Sequence, residues 1–99
     1  NVQKITKSHD SLLILDEVVT GFRFDLGGGQ KYFDIQGDMT CFGKAMANGL
    51  PLSAITGKTE FMKAFDELWV SSSNNMETIS MAASNATILE MKTKNTFIL

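Results

Sequence analysis

Between Asp10-Ser11 and Asp16-Glu17 the chain reads Leu12-Leu13-Ile14-Leu15, large aliphatic side chains with no polar alternation. A run this short and this uniformly apolar predicts a strand buried on both faces, of the kind found in parallel sheets flanked by helices. It drives straight into two adjacent carboxylates, and open α/β sheets keep their chemistry at the carboxyl ends of such strands. Residues 1 to 9 read as the end of a helix. Thr20-Gly21 and Gly27-Gly28-Gly29 mark a mobile connection running to about Gln30. Met39 to Phe42 predicts a second short strand, delivered to Gly43-Lys44, and Leu52 to Thr56 a third, entered through the Gly49-Leu50-Pro51 turn. Thr59 to Phe65 predicts a helix capped by Thr59, with Phe61, Met62 and Phe65 on one face. The polar run Ser71 to Asn75 is a loop, and Glu77 to about Met91 is the strongest helix. There Ile79, Ala82, Ala83, Ala86 and Leu89 recur at helical spacing and mark the expected core face.

Composition narrows the classes. The chain has 99 residues, 43% of them hydrophobic, and a net charge of -2, which offers no electrostatic case for nucleic acid. No apolar run reaches the length of a membrane span, and Lys4, Lys7 and His9 among polar residues do not make a signal peptide, so a cytoplasmic protein is expected. The single Cys41 excludes an intrachain disulfide, lacks partners for a zinc site and reads as packing filler. No repeat or linker divides the chain. Its end, Asn95-Thr96-Phe97-Ile98-Leu99, resembles the opening of an element whose remainder is absent, which makes the chain a piece of a larger domain. A chain of this size buries only about 60 to 65% of its unfolded surface, so by itself it is expected to be inactive.

A buried strand ending in Asp-Glu fits two chemistries. One is the Walker B element of a P-loop nucleotide hydrolase, with Asp on magnesium and Glu on the attacking water. A P-loop, however, needs glycine, four residues, then Gly-Lys-Ser/Thr. Here Asp38 stands where the first glycine belongs, Ala45 where the hydroxyl belongs, and Gly43-Lys44 follows the acidic strand instead of preceding it. The other chemistry uses both sites together. Pyridoxal phosphate (PLP) requires a lysine to form the Schiff base with its aldehyde and a carboxylate to keep its ring nitrogen protonated. Asp16 and Lys44 are the candidates. A buried acid needs a partner, which a pyridinium provides, and a desolvated lysine is a nucleophile. An N-cap aspartate and a solvated surface lysine fit the same two residues.

The stretch Leu13-Ile14-Leu15-Asp16-Glu17-Val18-Val19-Thr20-Gly21-Phe22-Arg23, followed by Asp38-Met39-Thr40-Cys41-Phe42-Gly43-Lys44-Ala45-Met46-Ala47-Asn48-Gly49-Leu50-Pro51-Leu52, closely resembles the class III PLP-dependent aminotransferases. Within them it is most similar to the branch containing glutamate-1-semialdehyde aminomutase. The similarity runs from about Ser11 to Met91 and implies an α/β chain: part of the large, mainly parallel-sheet domain of PLP-dependent transferase fold type I. Carried over, it makes Lys44 the Schiff-base lysine and proton shuttle, Asp16 the partner of the pyridine nitrogen, and Val18 the aliphatic residue against one face of the ring. Ser73 matches a family threonine that reaches the cofactor phosphate across the interface of a homodimer, although the family usually has glycines where this chain has Asn75 and Met76. The resemblance implies a small-molecule amino donor and acceptor. A transaminase passes the amino group to a second molecule, an aminomutase to a neighbouring carbon of the same one. The loop ending in Glu77-Thr78-Ile79 resembles the transaminase members more.

For Glu17, which follows the cofactor aspartate in that family, the resemblance implies a structural role and no catalytic one. Arg23 is suited to bind a substrate carboxylate bidentately, but a structural ion pair ranks ahead of that for a surface arginine. His9 is a helix-end or surface residue, and Phe22, Phe24, Phe33 and Phe42 are packing residues.

Overall fold

A computed structural model of the chain describes residues 2–94, 96 and 97. The terminal element expected at Asn95 to Leu99 therefore falls largely outside the described residues. Three strands, β1 (Ile14–Glu17), β2 (Met39–Phe42) and β3 (Ala54–Gly57), form one sheet in that order. β1 and β2 are parallel, with Asp16 opposite Cys41 and Glu17 opposite Phe42. β3 runs antiparallel to β2, with Cys41 opposite Ile55. The sheet is thus mixed where a mainly parallel one was expected. Its parallel half comes from the long crossover through α2 (Gly28–Tyr32). Its antiparallel half comes from Asn48 (φ 49°) and Gly49 (φ 105°), two successive left-handed residues that reverse the chain before Pro51.

β1 begins two residues later than its aliphatic run suggests, and so includes both carboxylates. Asp38 is the cause. Its carboxylate accepts the Leu13 amide at 2.9 Å while its own amide donates to the Leu13 carbonyl at 2.7 Å, which engages Leu13 ahead of the ladder. The expected burial on both faces is also not met. One face carries Leu15, Glu17, Thr40 and Phe42 and lies under α2, where Gln30 Nε2 donates to Thr40 Oγ1 at 3.3 Å. The other presents Ile14, Asp16, Met39, Cys41 and Ile55, and no described element covers it: Ile14 is 55% exposed.

The helices sit at the ends of the sheet. α1 (Val2–Ser8) lies toward the start of β1, tied by Gln3 Nε2 donating to the Gln36 carbonyl at 2.9 Å. His9 follows it, and its Nδ1 bonds the Ile5 carbonyl at 2.9 Å, the helix-end role expected. α3 (Thr59–Met62) tightens into a 3-10 turn at Lys63–Asp66, and Phe61, Met62 and Phe65 are half-buried as the pattern required. Its cap position is Lys58, not Thr59, because the Lys58 carbonyl accepts the Phe61 and Met62 amides.

α4 (Thr78–Lys94) packs on a 3-10 turn at Lys44–Ala47, which contributes the buried Met46 and Ala47. Glu77 caps it from outside, accepting the Ile79 and Ser80 amides at 2.9 and 2.6 Å. The Ser80 hydroxyl stands close enough to help without completing a bond of good geometry. Together, the Ser80 hydroxyl and these amides hold the Glu77 carboxyl below the usual range. The core face of α4 is not the predicted stripe. Ser80 and Ser84 are buried and Ala83, Thr87, Ile88 and Met91 half-buried, whereas Ile79 and Leu89 are 68% and 61% exposed. Small hydroxyl residues let the helix approach the turn backbone closely, and only Ala83 belongs to both faces.

Asp38 also takes Lys58 Nζ at 2.5 Å, joining the entry of β2 to the exit of β3. The Leu13 amide and the Lys58 ammonium lower the Asp38 pKa from its ordinary 3.8, and Asp38 raises that of Lys58 from 10.5. The sign follows by linkage: the Asp38 contribution is complete above pH 3.8 and lost as pH falls below it, and the Lys58 contribution is complete below pH 10.5 and lost above it. The stability difference between wild type and Asp38→Asn, followed by thermal unfolding against pH, should therefore form a plateau between these limits and shrink at both ends.

Candidate active site

The carboxyl ends of β1 and β2 form one edge of the sheet, and the candidate residues meet there. Asp16 is the penultimate residue of β1 and lies on the uncovered face. Its Oδ1 accepts the Val18 amide at 3.0 Å, and its second oxygen makes no hydrogen bond among the described residues. β2 continues through Gly43, fully extended at φ -174°, into Lys44 at φ 43°. A left-handed lysine costs roughly 1–2 kcal/mol, and here it turns the chain sharply off the strand end into the 3-10 turn. Val18 packs over this corner, its Cγ1 lying 3.5 Å from where a Cβ on Gly43 would sit. Asp16, Val18 and Lys44 are thus brought to one edge by parallel register alone.

Lys44 is exposed, so the desolvation expected of it is not supplied by the described residues. With Arg23, Asn48 and Leu50 it lines an open hollow of about 470 Å³. Ser73 is not drawn in. It lies in an exposed turn following Ser72, whose carbonyl accepts the Asn75 amide at 3.0 Å, and the neighbouring loop borders a separate hollow against Leu52, Ile55 and Phe65. Cys41, expected as filler, is half-buried beside Asp16 on the uncovered face.

The residue whose importance sequence reasoning underrated is Glu17. It is only 3% exposed, and its carboxylate accepts the Gly29 amide at 2.8 Å, the Gln30 amide at 2.6 Å and the Thr20 hydroxyl. Gly28 must be glycine: it sits at φ 72°, and a Cβ there would lie 2.8 Å from Glu17 Oε2. Gly21 is equally constrained, since a Cβ would lie 2.5 Å from the Glu17 carbonyl oxygen. The signal was present as an acid following an apolar strand, with Thr20-Gly21 and Gly27-Gly28-Gly29 downstream to donate to it. The connection expected to be mobile is instead clamped. Phe22 stacks on Phe42 with ring centroids 5.5 Å apart, and Phe24, Tyr32 and Phe33 form a second cluster on α2.

The model of the class III aminotransferases matches residues 1–97. The chain belongs to that family. It is 43% identical over 94 residues to glutamate-1-semialdehyde 2,1-aminomutase of Saccharolobus islandicus, covering 92% of this chain and 22% of that protein. It is 39% identical to the enzyme of the same name from Sulfurisphaera tokodaii, covering 97% of this chain and 24% of that protein. Among solved structures, an S-selective transaminase from Bacillus megaterium superposes with a TM-score of 0.84 at 32% identity, over 95% of this chain and 21% of that one. FumI of Sphingopyxis sp. MTA144, solved in its PLP internal aldimine form, gives 0.82 at 30% identity over 90% of this chain and 22% of that one. The chain therefore has the architecture of PLP-dependent transferase fold type I and spans about a fifth of the length of these relatives. Family membership removes the Walker B reading, and Gly43-Lys44 opens a 3-10 turn, not a phosphate-wrapping loop.

Replacing Glu17 by alanine should leave three donors unsatisfied and cost roughly 2–4 kcal/mol. Amide hydrogen exchange at Gly29 and Gln30 should accelerate with it, and Glu17→Gln should fall between the two.

Proposed function

We propose that these 99 residues are the part of the large cofactor-binding domain of a PLP-dependent aminotransferase that anchors the cofactor and holds its ring nitrogen. The observation that carries this is the meeting of Asp16, Val18 and Lys44 at the carboxyl edge of two neighbouring parallel strands. The residues fit the group. Asp16 keeps an oxygen free for a protonated ring nitrogen, Val18 offers an apolar wall, and Lys44 presents an accessible amine beside it.

Bound PLP would supply an electron sink for the bond broken at the substrate's amino carbon. Asp16 would face the ring nitrogen, where a carboxylate favours the charged form. Val18 would offer one face of the ring an apolar contact. Lys44 Nζ would hold the cofactor and, when its amine is free, would take up and give back the proton at the substrate's amino carbon. Ser73 serves the cofactor phosphate of a second copy in a homodimer, which accounts for its distance from Lys44 within one chain. The substrates are small-molecule amino donors and acceptors. Amino-group transfer is common to the aminomutases and the transaminases that this chain resembles. The 99 residues alone carry no activity, because the cofactor's other contacts lie on the rest of the domain.

The test is borohydride reduction of the full-length enzyme after addition of PLP, followed by peptide mapping. The label should sit on Lys44, and Lys44→Ala should lose both the label and about a hundredfold to ten-thousandfold in transfer rate. A stable label on another lysine would overturn the assignment.

A further inference from the structure

We infer that Arg23 receives the carboxylate of the substrate in the site built around Lys44. The inference rests on the function proposed above and adds to it the substrate's second recognised group.

Arg23 is placed by its neighbours. Its amide donates to the Thr20 carbonyl at 3.2 Å, closing a turn directly behind β1. Phe22 before it is held at φ 62° with its ring on Phe42, two residues ahead of Lys44. With that ring anchored, the arginine side chain reaches the wall of the hollow that Lys44 also lines. The lining holds these two cations, one amide side chain, Asn48, and otherwise small or apolar residues such as Ala45 and Leu50. Among the described residues no carboxylate lines it, so its charge complement is an anion attached to an apolar stem.

The structural ion pair expected for Arg23 is not formed among the described residues, because the acids near it are engaged elsewhere. Asp25, two residues on, takes Lys31 at 3.1 Å and the Gly27 amide at 2.9 Å. Glu17 is buried on its three donors, and Asp16, with one oxygen on the Val18 amide, does not line the hollow. A guanidinium matches a carboxylate through two parallel hydrogen bonds and keeps its charge at every working pH. The substrate class is thus an amino acid or oxo acid whose reacting carbon addresses Lys44 and whose carboxylate addresses Arg23.

The experiment compares straight-chain ω-amino acids with the corresponding amines lacking the carboxylate. It uses the full-length enzyme as wild type, Arg23→Gln and Arg23→Lys. KM and kcat are measured beside calorimetric binding of PLP, and of the same acids, to the cofactor-free protein. Arg23→Gln should raise KM for the acids, and weaken their calorimetric binding, by roughly tenfold to a hundredfold, the loss typical of a hydrogen bond to a charged group. Values for the amines and the affinity for PLP should not move, and Arg23→Lys should restore part of the loss. Equal losses for acids and amines would overturn the inference, as would weakened PLP binding, which would make Arg23 a ligand of the cofactor phosphate. In both cases a borohydride label on Lys44 would leave the proposed function standing. Absence of that label in wild type would remove the site and the inference together.

Discussion

Glu17 brings a carboxylate into the interior directly beside the site, and the local structure is organised to satisfy it. A buried charge without donors is prohibitively costly. The Thr20 hydroxyl and the first amides of α2 must therefore come to it, which folds the long β1–β2 crossover back over one face of the sheet. The same clamp fixes the direction of β1 where Asp16 leaves the opposite face. Successive strand residues point to opposite sides, so the adjacent acids have opposite fates: one is buried to hold the crossover, the other stays exposed on the uncovered face.

From that anchor the edge of the sheet follows. Parallel pairing of β1 and β2 puts both carboxyl ends on one side, and Val18 lies against the strand end near Gly43. The left-handed Lys44 then stops β2 and starts the turn on which α4 packs. A strained backbone position persists where its surroundings compensate for it. Here the compensation is visible in the burial of Met46 and Ala47 beneath a helix face of small residues.

Much apolar surface remains uncovered. Ile14 and Ile55 on the open sheet face, Ile79 and Leu89 on α4, and Trp69 at 95% exposure all stand exposed. The relatives are nearly five times longer than the stretch they share with this chain. A sheet covered on both faces needs a second layer on the Asp16 face.

The sequence alone was enough for the strands, the long helix and the family. These rest on local quantities: an unbroken aliphatic run, helical spacing, and a motif whose order and separation are specific. It did not place the ends of β1, because the register is decided by Asp38, a residue distant along the chain that engages Leu13. Nor did it choose between two possible faces of α4, since periodicity marks apolar positions but not which neighbour needs close approach. The return of β3, the burial of Glu17 and the freedom of Arg23 were likewise settled only in three dimensions. Each depends on where donors and charges from separate segments converge, and a one-dimensional pattern does not contain that information.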